Sequence, residues 1–408
     1  MASEPNKWKV CLVHNAYARP SGEEVVVNAL EELLAGRGHP VIRFHRGSDT
    51  IASIPLGRAR AFLAGLHNPF AVSDLRKLLR EHRPDIVHVH NLYPWISPSI
   101  LPECSRQGVP VVMTVHNYRL ACPSGLFLHA GRPCARCRGG HEYWCLLKNC
   151  QDDWLKSFGY ALRSWAARRR GCFLNHVSIF IVMSGFQRRC LLEEGFPAER
   201  LAVIPHMVSA PAEPCRAESG QYAGFVGRVS PEKGIATLLA AARQLPDIPF
   251  HLAGATQRMP HLPAQAPPNV KFLGHLVGDR MDAFYRRCRM LVLPSECPET
   301  FLMSIAEAMG MALPVVASRI GALEEIVQEG RTGLMFTPGD AEGLARQVRY
   351  LWNNPELCAK MGQAARTVAL DDYSPRNCYE RIMDVYRRAI YAEGTGPIPA
   401  GREEKAAT

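Results

Sequence analysis

Two glutamates and two cations are the residues around which chemistry can be built. Glu299 and Glu307 flank the start and the interior of one apolar unit, residues 291–321, LVLPSECPETFLMSIAEAMGMALPVVASRIG. A buried strand, 290–293, is broken by Pro294, and Thr300 is placed to cap a helix. The apolar positions Phe301, Leu302, Ile305, Met309 and Ala312 recur at helical spacing, and a second strand, 314–317, closes the unit. The free N–H groups of Thr300, Phe301 and Leu302 would point from the helix start, where an anion is favoured. Arg228 and Lys233 lie in a second strand-to-helix loop, GRVSPEKG, after an apolar strand at 223–226. Gly227 allows close backbone approach, Arg228 offers a planar fork to phosphate oxygens and Lys233 adds a point charge. The combined chemistry suits a ligand with phosphate and hydroxyl groups. On spacing alone, two glutamates eight apart are also what a solvated helix face carries.

A third group is cysteine-rich. Between Cys122 and Cys150 stand Cys134, Cys137 and Cys145 as well, and Cys134-x2-Cys137 has the chelating spacing of a zinc knuckle. Cys122, Cys134, Cys137 and Cys150 are candidate ligands for a structural zinc, with Cys145 and His141 as further candidates. A loop with so little core would be ordered by a metal. Free thiols or a redox-sensitive pair are the alternative, and nothing suggests the open water position of a catalytic metal.

These groups need elements to hold them. Short apolar strands alternate with amphipathic helices along the chain, the pattern of parallel α/β sheets. The 408 residues, 47% of them hydrophobic, are enough for two domains. The expected division is an N-terminal domain, residues 1–208, with a Cys-rich insertion at about 122–150, and a linker at 209–220. A C-terminal domain at 221–380 follows, and then a helix that packs back and a polar, disordered tail within 381–408. His116 ends an apolar strand at 109–115, the edge where open α/β sheets bind ligands. A histidine there can bond a sugar hydroxyl, or simply be polar and satisfied.

The net charge of +10 favours an anionic partner. From Trp154 to Leu192 there is no acidic residue, while Lys156, Arg163, Arg168, Arg169 and Arg170 accompany Trp154, Leu155, Phe158 and Trp165. Such a segment suits an anionic membrane face, or a helix with a solvated basic edge. No nucleic-acid-binding motif accompanies it, so nucleic acid is not an expected partner. The start, MASEPNKWK, lacks the apolar run of a signal peptide, and no apolar stretch reaches the eighteen or so residues of a spanning helix. The expected setting is a reducing cytoplasm, with the protein peripheral at the inner face of the membrane.

The 299–316 window resembles the donor-site signature of the retaining GT-B glycosyltransferases, in particular the GT4-like group 1 family. Glu299, Phe301, Glu307, Ala308, Pro314, Val315 and Val316 match it; Leu302 and Ala312 stand where the family often has glycine. The loop 227–234 closely resembles the family's diphosphate-holding loop, PDIVHVH at 84–90 its Pro-Asp-hydrophobic-Val-His-x-His pattern, and His116-Asn117 its Thr-x-His-Asp ending with Asn for Asp. Ser21-Gly22 replaces the usual Gly-Gly of a loop near donor phosphate and acceptor, and Gly22 enters through the resemblance alone. Together the similarity spans residues 7–392.

It implies two Rossmann-like domains facing across a cleft, a nucleotide-sugar donor in the C-terminal one and the acceptor in the N-terminal one. Arg228, Lys233, Gly227 and the helix start at Thr300 and Phe301 would hold the diphosphate, and Glu307 the ribose hydroxyls. Glu299 would orient the sugar and stabilise its positive character, and His116 would face the reaction centre. The expected activity is retaining transfer to a lipid-linked or saccharide acceptor in cell-surface polysaccharide synthesis. Asp-x-Asp is absent from the sequence, so no catalytic cofactor is expected. A GT-B nucleotide-sugar epimerase and a non-catalytic nucleotide-sugar-binding protein are the alternatives. A dinucleotide oxidoreductase is disfavoured, since no Gly-x-Gly-x2-Gly follows a strand.

Overall fold

The computed structural model describes residues 7–17, 22–49, 53 and 56–391. The loop positions 18–21 and the expected tail beyond 391 lie outside the described residues. The N-terminal strands β1 (Val10–Ala16), β2 (Val41–Gly47), β3 (Ile86–Asn91) and β4 (Val111–Thr114) are followed by a small antiparallel hairpin, β5 (Leu128–His129) and β6 (Arg132–Pro133). The strands β7 (Ile179–Val182) and β8 (Leu201–Val203) then complete a six-stranded parallel sheet in the order β2-β1-β3-β4-β7-β8. The second sheet contains β9 (Tyr222–Val226), β10 (Phe250–Ala253), β11 (Val270–Gly274), β12 (Cys288–Leu293), β13 (Val315–Ser318) and β14 (Gly333–Phe336). Its order is β11-β10-β9-β12-β13-β14, again parallel throughout.

Most of these strands read as unbroken apolar runs because helices cover both faces of each sheet. β4, β7, β13 and β14 are buried along their whole length. In both sheets the chain reverses direction of travel across the first strand, β1 or β9. The crevice outside the carboxyl ends at such a point is where ligands bind in open α/β sheets. Two Rossmann-like domains built this way constitute the GT-B fold.

The chain returns to its start at the end. The helix Pro375–Tyr391 leaves the C-terminal domain and buries Tyr379, Ile382, Met383 and Tyr386 against Trp8, Val10, Leu12 and Ile86 of the N-terminal domain. His39 Nε2 and His88 Nδ1 reach the hydroxyls of Tyr379 and Tyr386, at 2.9 and 2.7 Å. The segment between the domains is tied to the preceding helix, Pro355–Asp372, where Arg366 Nη2 donates to the carbonyl of Pro211 at 2.6 Å. Among the described residues no helix is long and apolar enough to cross a membrane.

Candidate active site

Glu299 does not sit in the first turn of a helix. Its backbone forms a parallel bridge with Gly321, so the chain is still extended at this point. The helix begins three residues beyond Thr300, at Met303, and runs to Gly310. Thr300 therefore does not cap it, and Leu302 at the cap position provides no side-chain bond. The first-turn N–H groups belong to Met303 and Ser304, which corrects the expectation placed on Thr300, Phe301 and Leu302. The Thr300 hydroxyl instead donates to the carbonyl of His116 across the cleft, at 3.1 Å. Phe301 is buried between the rings of His206 and Tyr373.

The two loops singled out in the C-terminal domain meet. Lys233 Nζ lies 2.6 Å from Glu299 Oε1, and the Ser295 hydroxyl donates to the same oxygen at 2.7 Å. Both charged side chains are mostly buried, so the pair is screened little by solvent. Gly234 makes the approach feasible. Its φ is +66°, and a Cβ there would stand 1.7 Å from the carbonyl oxygen of Pro294. Gly227 is close-packed too: a Cβ on Gly254 would meet its carbonyl oxygen at 1.7 Å. Arg228 is 56% exposed, with only a 3.4 Å contact to Glu232. Glu232 is buried, also faces Arg258 at 3.3 Å, and is held below its ordinary range. Burial there works against the charge, while its own backbone N–H and the two guanidiniums outweigh it.

Glu307 stands further along its helix and accepts the Tyr285 hydroxyl at 2.8 Å. Burial raises its carboxyl, and the Tyr285 bond partly opposes this. With Tyr285, Met281 and Ser209 it lines a small cleft of about 540 Å³. Gly22 begins the first helix, Gly22–Gly36, with open space where a Cβ would lie.

Across the cleft the N-terminal domain presents histidines. His116 stacks on His90 and His206, with ring centroids 5.2 and 5.3 Å away, and its Nε2 lies 2.9 Å from His90 Nδ1. Burial, and to a lesser extent His14, lowers His116 to about 3. His88 is likewise lowered to about 3 and His14 to about 4, chiefly by burial, so the cluster is neutral near pH 7. Sequence reasoning missed His14, His206 and Tyr118. The Tyr118 hydroxyl donates to the backbone carbonyl of Glu299 at 2.8 Å. Both nitrogens of His14 are buried without a partner, and Glu23 is left with one buried unpartnered oxygen. His14 lies near the carboxyl end of β1, a position that could have drawn attention to it; nothing local marks His206 or Tyr118.

Cys137, Cys145 and Cys150 share one buried cluster, and Cys122 and Cys150 both act electrostatically on Cys137. Among the described residues no group of three or more His, Cys, Asp or Glu side chains is disposed to hold a metal ion. The Cys137 partner pulls the Cys122 thiol down to about 5.

A parallel-sheet domain carrying a cation–carboxylate pair, facing a second such domain across a cleft, defines a GT-B architecture. Comparison with known proteins agrees. A model described as Glycosyltransferase Family 4 matches residues 20–210, and one described as Glycosyl transferases group 1 matches residues 220–354. The chain is 26% identical to glycogen synthase of Mycobacterium tuberculosis, over 92% of this chain and 84% of that one. It is 24% identical to alpha-D-kanosaminyltransferase of Streptomyces kanamyceticus, over 89% and 98%. Among solved structures, sucrose-phosphate synthase of Thermosynechococcus elongatus superposes with a TM-score of 0.72 at 19% identity, covering 94% of this chain and all of that one. Anabaena HepE in complex with UDP-glucose superposes with a TM-score of 0.62 at 18% identity, covering 92% and 98%. The chain belongs to the group 1, family 4 glycosyltransferases, and is a glycosyltransferase of the GT-B fold.

Proposed function

We propose that the protein transfers a glycosyl group, with retention of configuration, from a nucleotide-sugar in the C-terminal domain to an acceptor in the N-terminal domain. The observation that carries this reading is the junction at Glu299. Its side chain is bound by Lys233 and Ser295, and its backbone carbonyl by Tyr118 of the opposite domain. One short segment thus touches the phosphate-loop lysine and the acceptor-side loop together. The named relatives are themselves glycosyltransferases, and HepE holds UDP-glucose in its structure, which supports a nucleotide-sugar donor.

The chemistry follows from charge. The sugar C1–O bond breaks toward the nucleoside diphosphate, which takes the electron pair, and the sugar becomes oxocarbenium-like. Arg228 and Lys233 stabilise the leaving diphosphate, Lys233 exchanging part of its bond with Glu299 for a phosphate oxygen. Glu299 steadies the positive sugar, and Glu307 binds ribose hydroxyls. The acceptor oxygen attacks the same face, and its proton passes to the departing phosphate. His116, neutral at pH 7, hydrogen-bonds the donor sugar or acceptor.

The acceptor we assign is saccharide or lipid-linked, in the making of a cell-surface glycan, at an anionic membrane surface. The helix Trp154–Arg169 supports the membrane part: Trp154, Leu155 and Trp165 are 61%, 75% and 52% exposed, beside exposed Lys156, Arg169 and Arg170. Incubation of the purified protein with a panel of nucleotide sugars, with and without a membrane extract, tests the proposal. Nucleoside diphosphate release that needs extract and fails in Glu299→Ala and Arg228→Ala is the expected result. Donor binding without release or transfer would sink it in favour of a non-catalytic binding protein.

A further inference from the structure

Two arginines in the N-terminal domain, Arg119 and Arg163, each leave a guanidinium nitrogen buried without a partner. Arg119 follows the His116 loop, and Arg163 projects from the exposed aromatic helix Trp154–Arg169. Neither forms a salt bridge with a carboxylate among the described residues. Arg119 Nη1 donates to the Tyr17 hydroxyl at 3.1 Å, while its Nε is buried without a partner. Arg163 is sandwiched between the rings of Tyr160, 3.7 Å from the centroid, and Tyr93, 4.3 Å, and its Nη2 is also buried without a partner. Burial lowers Arg163 below the ordinary arginine range, and Arg119 adds repulsion.

Arg119 and Tyr93 line a cleft that also contains His116, and Arg163 lies against Tyr93 at its edge. Arg168 in the same cleft is a useful contrast. It is neutralised by Glu142 at 2.5 Å and Glu194 at 2.9 Å. Glu23 forms no salt bridge with Arg119; it acts on it electrostatically and through Tyr17, whose hydroxyl it accepts at 3.2 Å.

Burying two mutually repelling guanidiniums is costly unless an anion completes the site. The five N–H donors of arginine match phosphate oxygens. A carboxylate supplies one negative charge, whereas a phosphate monoester supplies about 1.5–2.

We propose that Arg119 and Arg163, with the tyrosines around them, form an oxyanion site that holds a phosphate or diphosphate group of the acceptor. The inference rests on the reading that the acceptor lies in the N-terminal domain. It deepens that reading by naming the group recognised.

Calorimetric titration of the full chain with inorganic diphosphate and with geranyl diphosphate tests this. The wild type is expected to show two sites, since the donor loop also takes diphosphate. Arg228→Ala should remove one and leave the other. Adding Arg163→Gln or Arg119→Gln to Arg228→Ala should weaken the remaining site about tenfold or more, the loss of one charge-assisted contact. Arg163→Lys, which keeps the charge, should weaken it less, and that grading separates recognition from a folding defect. Tighter binding of geranyl diphosphate than of inorganic diphosphate at this site identifies a lipid-linked source, and equal binding a soluble phosphate. A single site abolished by Arg228→Ala would overturn the proposal, as would equal binding by Arg228→Ala and by the combined variants. Glucuronate bound in place of diphosphate would overturn it too. Should donor turnover fail while the second site persists, the transferase reading falls and the anion site stands; the reverse pattern removes the anion site alone.

Discussion

The two faces of the cleft handle charge in opposite ways. On the C-terminal side ionised groups come with partners already in place: Lys233 with Glu299, and Glu232 with Arg228 and Arg258. Glu307 has the Tyr285 hydroxyl. On the N-terminal side Arg168 is paired with Glu142 and Glu194, but the His90–His116–His206 stack is stripped of charge, and Arg119 and Arg163 form no salt bridge with a carboxylate among the described residues. The first face is pre-arranged around internal ion pairs, which a ligand must share. The second has unfilled hydrogen-bonding capacity, which a ligand must complete.

Breaking the ion-paired face should have the largest effect. Glu299→Gln removes the carboxylate that faces both Lys233 and the sugar, and transfer should fall about 10²–10³-fold in a nucleoside diphosphate release assay. An equal loss of melting temperature and activity would mean that Glu299 is only a strut. Arg228→Ala separates binding from stability. With 56% of its side chain exposed, its loss should change unfolding free energy by no more than about 0.5 kcal/mol. Donor affinity should fall roughly 10–100-fold, the value of one or two contacts to a charged group. Unchanged donor affinity would remove Arg228 from the site.

The histidine face should reveal itself in acid. His88, His116 and His14 are depressed to about 3, 3 and 4, while unfolded histidine takes up its proton near 6.5. Between those limits the unfolded chain binds more protons than the folded one, so stability is present above about pH 6.5 and is lost as pH falls toward 4. Thermal melts from pH 7.5 to 4.5 should show the decline, and His14→Gln should flatten it. A melting temperature that does not move across this range would contradict the neutral stack.

The contact between the faces is worth less. Tyr118→Phe deletes the bond to the Glu299 carbonyl and should cost about 1 kcal/mol, some 2–4 °C in melting temperature. Smallest of all is Ala312→Gly. Ala312 has φ +63°, a left-handed conformation that costs an L-residue roughly 1–2 kcal/mol. Glycine would relieve it and return about 0.5–1 kcal/mol to chain entropy, so a net gain of about 0.5–1 kcal/mol is expected in a denaturant titration.

The departure from the family pattern at Ala312 was visible in the sequence; the strain it carries was not. The strand–loop–helix units around Arg228 and Glu299 were legible because buried parallel strands are continuous apolar runs and their loops carry distinctive residues. The start of the following helix was not legible. Thr300 is a good capping residue, but the bridge of Glu299 to Gly321 keeps the backbone extended past it. The Cys134-x2-Cys137 spacing drew attention to that pair, whereas the company Cys137 keeps with Cys122, Cys145 and Cys150 is set by the fold.

The sequence by itself determined the alternation of elements, the two-sheet fold and the loops at the strand ends, because those depend on residues near one another in the chain. Tertiary structure alone decided which side chains meet. Lys233 and Glu299 are joined only because β9 and β12 are neighbours in the sheet. Histidines at 14, 90, 116 and 206 form one cluster because β1, β3 and β4 lie side by side and the domains close over their ends. Partner choice, and with it charge state, is set by burial and contacts far apart in sequence, and local pattern carries no record of either.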